Sequence, residues 1–135
     1  SIILIQIGIN DSWYFKSLKG KANVSTKKYK SNLIKIIKIS NKLGVKNLFF
    51  VSYHRLLKNR LEINNKTVNQ NLNKYIKILE KTCHENKISY IDIPRDTKKI
   101  NPKKICRPMP DGVHLSSNGA KIYTKIIFNN VKKYL

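Results

Sequence analysis

Three short apolar runs alternate with amphipathic stretches, and this alternation restricts what the chain can fold into. Residues 2–9 (Ile-Ile-Leu-Ile-Gln-Ile-Gly-Ile), 48–51 (Leu-Phe-Phe-Val) and 89–93 (Ser-Tyr-Ile-Asp-Ile) read as strands. The first two are apolar on both faces, as central strands of a covered parallel sheet are. Between them, residues 27–43 place Tyr29, Leu33, Ile36, Ile37 and Leu43 near one face of a helix. Residues 67–86 do the same with Val68, Leu72, Tyr75, Ile76, Leu79 and Cys83. A last helix, residues 116–134, turns Ile122, Ile126, Ile127 and Val131 inward. Ser25 or Thr26, Thr67 and Ser116 are the expected N-caps, and Gly44 suits a helix C-terminus. The order β-α-β-α-β-loop-α predicts parallel strands joined by right-handed helical crossovers. At 135 residues the chain suits one domain with one core.

Polar residues gather where the strands end. In open α/β sheets, ligands bind beyond the carboxyl ends of the strands. Gly8, Asn10 and Asp11 follow the first run, and Gly8 lets the backbone turn sharply there. Ser52-Tyr53-His54-Arg55 follow the second, where His54 suits a structural or a substrate-contact role. Asp92, near the end of the third run, reads as structural. The connection over residues 94–110, with four prolines and many lysines, leads into Asp111-Gly112-Val113-His114 and is expected to wall one side of a site. A short turn through Gly112 can bring the Asp111 carboxylate under the His114 imidazole. That would fix the ring's tautomer and leave a base able to take and return a proton. The plainer alternative is an Asp-Gly turn before a helix, with His114 on the surface.

Taken together, Gly8-Ile9-Asn10-Asp11 and Asp111-x-x-His114 resemble the third and fifth sequence blocks of the SGNH (GDSL-type) hydrolases. Tyr29-x-x-Asn32-Leu33, opening the first helix, is similar to the same family. The resemblance implies a three-layer α/β/α, flavodoxin-like parallel sheet. Residues 1–135 would be a partial domain, its C-terminal part, supplying about three of the five strands. It also implies a serine esterase or acyltransferase in which His114 is the base, Asp111 its orienting carboxylate, and Asn10 a donor to the oxyanion. Gly8 and Asp11 would support the turn that carries Asn10. The Gly-Asp-Ser block with the nucleophile and the block with the oxyanion-hole glycine do not occur here. The nucleophile is therefore expected upstream of Ser1, and residues 1–135 alone are expected to be inactive. Ser12 and Ser116 lack the strand-to-helix elbow that presents a nucleophile in other α/β hydrolases. Carbohydrate O-acetyl esters are a common substrate class in the family. A non-catalytic binding domain of the same fold is the alternative.

The formal net charge is +21, from 28 Lys+Arg against 7 Asp+Glu, which raises a third reading, a basic nucleic-acid-binding module. Yet 24 of the cations are Lys, alongside 20 Ile and 16 Asn, the residues that A/T-rich codons inflate together. Only 4 are Arg, whose planar fork reads phosphate and guanine. Compositional drift is the better account, and no specific nucleic-acid partner is expected. No cofactor is implied, and no residues are spaced like a metal site or a phosphate-cradling loop. Cys83 falls on an apolar helix face as a small hydrophobe; a disulfide with Cys106 is compatible with the sequence. No apolar run approaches the roughly 20 residues that span a bilayer. Trp13, Tyr14 and Phe15, in a polar loop over residues 11–26, could line a pocket beside Asn10 or cap the core. Residues 56–66 read as an Asn- and Lys-rich excursion.

Overall fold

The computed structural model describes residues 1–14, 20–58 and 66–135. Phe15 and most of the 56–66 excursion lie outside them. The first apolar run forms β1 (Ile2–Gln6), and a helical turn, α1 (Ile9–Ser12), follows. The remaining elements are α2 (Thr26–Lys42), β2 (Asn47–Val51), α3 (Val68–Glu85), β3 (Ser89–Ile91), α4 (Ile93–Asp96) and α5 (Ser117–Val131). Short 3-10 turns occupy Pro102–Lys104 and Lys132–Tyr134. The strands form one parallel sheet in the order β1-β2-β3.

β2 shows why the sheet must be covered twice. Leu48 and Phe50 face a core with Tyr29, Leu33 and Ile37 of α2 and Tyr75, Leu79 and Cys83 of α3. The intervening Phe49 and Val51 face Ile91, Ile93, Ile105, Tyr123 and Val131, the α5 side. A period of two along a strand that is apolar throughout thus feeds two cores, which makes three layers. The caps follow the side-chain chemistry. Ser25 accepts from Lys28 N, Thr67 and Gln70 close a capping box, and Ser116 accepts from Gly119 N. Cys83 and Cys106 are both buried and free, so no disulfide joins them. Among the described residues, no helix is long and apolar enough to cross a membrane.

Two expectations need correction. The first strand stops at Gln6 rather than running to residue 9, because Gly8 adopts a φ of 129° that turns the chain into α1. As expected of a chain that carries three of the family's five strands, β1 lies at the edge of the sheet. Its only pairing among the described residues is to β2, and Ile3 and Leu4 are 37% and 44% exposed. Finally, the 94–110 connection is not irregular throughout. Asp92 caps α4 by accepting from Arg95 N, and Pro94 sits in the first turn, where its missing N–H breaks no helical bond. Cys106 bridges Leu115, tying the connection to the start of α5.

Candidate active site

The site is assembled from two turns at the carboxyl edge of the sheet. The first is the β1–α1 turn. Gly8 leaves room for Tyr29, whose hydroxyl would stand 3.0 Å from a Cβ at that position and donates to the Ile7 carbonyl at 3.2 Å. Burial pushes the Tyr29 phenol well above its ordinary range, so it stays a donor. Asn10 emerges on α1 with its side chain exposed. Asp11 uses its carbonyl to accept from Val24 N and does not border the pocket described below.

The second turn carries Asp111 and His114. Asp111 Oδ1 accepts from the backbone N–H groups of Val113 and His114, each at 2.8 Å. Its Oδ2 lies 2.9 Å from His114 Nδ1. The two backbone donors, His114 N–H first, and then the imidazole hold the Asp111 carboxyl well below the usual carboxylate range. An ionised Asp111 can only accept, so the neutral ring carries its proton on Nδ1 and leaves Nε2 as a base. Gly112 makes the turn possible. Its φ is +62°, and a Cβ there would meet Lys58 N and Met109 Sδ at 2.8 Å.

These turns meet at one hollow of about 390 Å³ bordered by Ile9, Asn10, Trp13, Tyr53, Lys58, Asp111, Val113 and His114. The structure therefore brings Asn10, Asp111 and His114 together, and Gly8 and Asp11 are not among the residues that border the hollow. Trp13 does both things considered for the loop aromatics: it borders the hollow and packs on Leu56, Val68 and Leu72 beneath it. Ser12 and Ser116 are committed elsewhere. The Ser12 hydroxyl donates to the Ile9 carbonyl, and the Ser116 hydroxyl donates to the Ile105 carbonyl. Sequence reasoning missed Lys58, one lysine among 24, which no local pattern distinguishes. It also missed Tyr123, buried opposite His54. Tyr53 was in view only as a neighbour of His54. Among the described residues, no group of His, Cys, Asp and Glu could hold a metal ion.

The family model for GDSL-like lipase/acylhydrolase matches residues 1–127. The chain belongs to this family. No curated protein matches it. Among solved structures it is similar to Axe2, an acetylxylan esterase from Geobacillus stearothermophilus, with a TM-score of 0.71 and 19% identity over 95% of this chain and 57% of that one. A lipase/acylhydrolase from Enterococcus faecalis gives a TM-score of 0.74 at 15% identity, over 99% of this chain and 62% of the other. A GDSL-like lipase from Bacteroides thetaiotaomicron gives 0.70 at 17%, over 99% and 63%. The likeness shows the shared fold, and the chain spans about three fifths of the length of these proteins.

Proposed function

We propose that the intact GDSL-family protein is a serine ester hydrolase whose base, orienting carboxylate and one oxyanion donor are His114, Asp111 and Asn10. The nucleophilic serine would come from a segment preceding Ser1. The observation that carries this reading is the convergence of the Asp111–His114 pair and Asn10 on one hollow. In the acylation step, His114 Nε2 takes the serine proton as its oxygen bonds to the ester carbonyl carbon. Asp111 stabilises the imidazolium through Nδ1–H, and the Asn10 amide donates to the oxygen as it becomes negative. Collapse of the intermediate returns the proton from Nε2 to the departing alcohol. Water then releases the acid by the same steps in reverse. Carbohydrate O-acetyl esters are the substrate class we favour. Trp13 and Tyr53 give the hollow aromatic walls suited to sugar faces, and Axe2 acts on acetylated xylan by its description.

Variants of the intact protein test this. His114→Ala should lower kcat by several orders of magnitude, and Asp111→Asn should be severe because the amide favours the wrong tautomer. Asn10→Ala should cost about 10²–10³-fold in kcat, with KM nearly unchanged, since its bond tightens chiefly in the transition state. Residues 1–135 alone should leave p-nitrophenyl acetate hydrolysis at background. Full-length enzyme that retains wild-type kcat with Ala at His114 would refute the mechanism.

A further inference from the structure

His54 stands outside the chemistry above, yet the turn that carries His114 rests on it. Each carbonyl from Gly112 to His114 accepts one hydrogen bond. Gly112 O accepts from Lys58 N at 2.9 Å, and His114 O accepts from Arg107 N at 2.7 Å. Val113 O lies 2.9 Å from His54 Nε2. Two of the three anchors are backbone groups of neighbouring loop segments; the third is a side chain fixed at the end of β2.

His54 is only 1% exposed. Its ring stacks on Tyr53 at 4.8 Å between centroids and meets the edge of Tyr123 at 5.6 Å. Its protonation pattern follows from its partners. A carbonyl only accepts, so Nε2 must carry hydrogen. In the neutral ring Nδ1 is then an acceptor, and it lies 2.7 Å from the Tyr123 hydroxyl. Tyr123 must donate there and can accept on its other side, where Gln6 Nε2 lies at 3.3 Å. The same Gln6 nitrogen donates to Ser52 O at 3.0 Å, which fixes the amide's orientation, since a flipped amide would set oxygen against oxygen. Donors thus run one way, from Gln6 to Tyr123 to His54 to Val113, and each member excludes the others' alternative states. Burial lowers the His54 pKa, which favours the neutral ring this order requires.

We propose that His54 is a positioning residue for His114: through Nε2–H it holds the Val113 carbonyl, and so sets the turn that places the His114 imidazole against Asp111. The relay through Tyr123 and Gln6 locks His54 in the tautomer that can do this. The kinetic part rests on the esterase reading; the structural part does not.

The test uses intact protein labelled with 15N-histidine. In the wild type, long-range 15N–1H correlations should show His54 protonated on Nε2 and His114 on Nδ1. In His54→Phe the His114 Nδ1–H signal should broaden by exchange with water. Its kcat should fall about 10–100-fold with KM nearly unchanged, the usual size for a small misplacement of a reacting group. His54→Gln, whose amide can still donate to Val113, should recover most of both. Tyr123→Phe removes only a hydroxyl and covers the case in which His54→Phe fails to fold. It should give mixed His54 tautomers and a broadened His114 signal. A sharp, unshifted His114 Nδ1–H signal in either folded variant overturns the proposal. If the wild type cleaves no ester, the function proposed above fails, while the His114 spectra still decide this one.

Discussion

His54 also sets how stability should respond to pH. Its pKa is lowered in the folded protein, first by burial, so the unfolded chain binds a proton more readily. The groups packed on the ring, Tyr53 and Tyr123, have phenols raised by burial and stay neutral, and Arg55 beside it adds only positive charge. The stabilisation is therefore fully present above the unfolded value near 6.5 and is lost as pH falls below it. Urea midpoints should decline from about pH 6.5 downward. His54→Gln should flatten that slope. A second decline, from Asp111, should begin only below about pH 4, because its folded pKa is depressed. A His54→Gln midpoint that tracks the wild type through both windows would show that His54 is not the titrating group. Asn10, Asp111 and His114 stood out in the sequence because Gly8-Ile9-Asn10-Asp11 and Asp111-x-x-His114 together resemble two short blocks of the family. His54 and Tyr123 did not, because they meet across 69 residues and nothing local marks either one.

Elements were readable where local chemistry decides them. Ser25, Thr67 and Ser116 announced three helices, and the apolar runs announced three strands. What an apolar run cannot encode is its neighbour on either side. β1 has the composition of a strand covered on both faces, but it pairs on one side with β2, and Ile3 and Leu4 are left exposed. An unpaired ladder beside exposed isoleucine and leucine is a template for another strand. Purified residues 1–135 should therefore self-associate through β1. Because like charge opposes contact at +21, association should grow when salt screens the repulsion. Leu4→Lys places a charge on the strand and should shift the chain toward monomer. Sedimentation that shows a monomer at every salt concentration, or no effect of Leu4→Lys, would mean that β1 does not mediate the association. α1 and α4 escaped the sequence reading for a different reason. Each is a single helical turn fixed by Gly8 or Asp92, too short to show periodicity.

Among the described residues, a cluster of lysines lies away from the hollow that holds His114. Among the described residues that border the hollow, Lys58 is the only basic side chain besides His114. Four lysines, Lys27, Lys30, Lys35 and Lys38, line a separate, shallower depression of about 600 Å³ along α2 with Ile34 and Ile78. A reading surface for nucleic acid would be expected to present arginine forks and stacking aromatics; lysines on a helix offer only point charges. Their effect should thus be electrostatic and indifferent to sequence. Binding to double-stranded DNA should be weak, equal for unrelated sequences, and should fall linearly in log–log form as salt rises. Replacing Lys27, Lys30, Lys35 and Lys38 with Gln should shallow that slope, on the order of 0.9 for each phosphate that is no longer neutralised. In the intact protein the same four changes should leave kcat for a neutral ester unchanged, since none of these lysines borders the hollow. Salt-resistant, sequence-selective binding would instead show that the lysines form a built interface, and that composition is the wrong account of the charge.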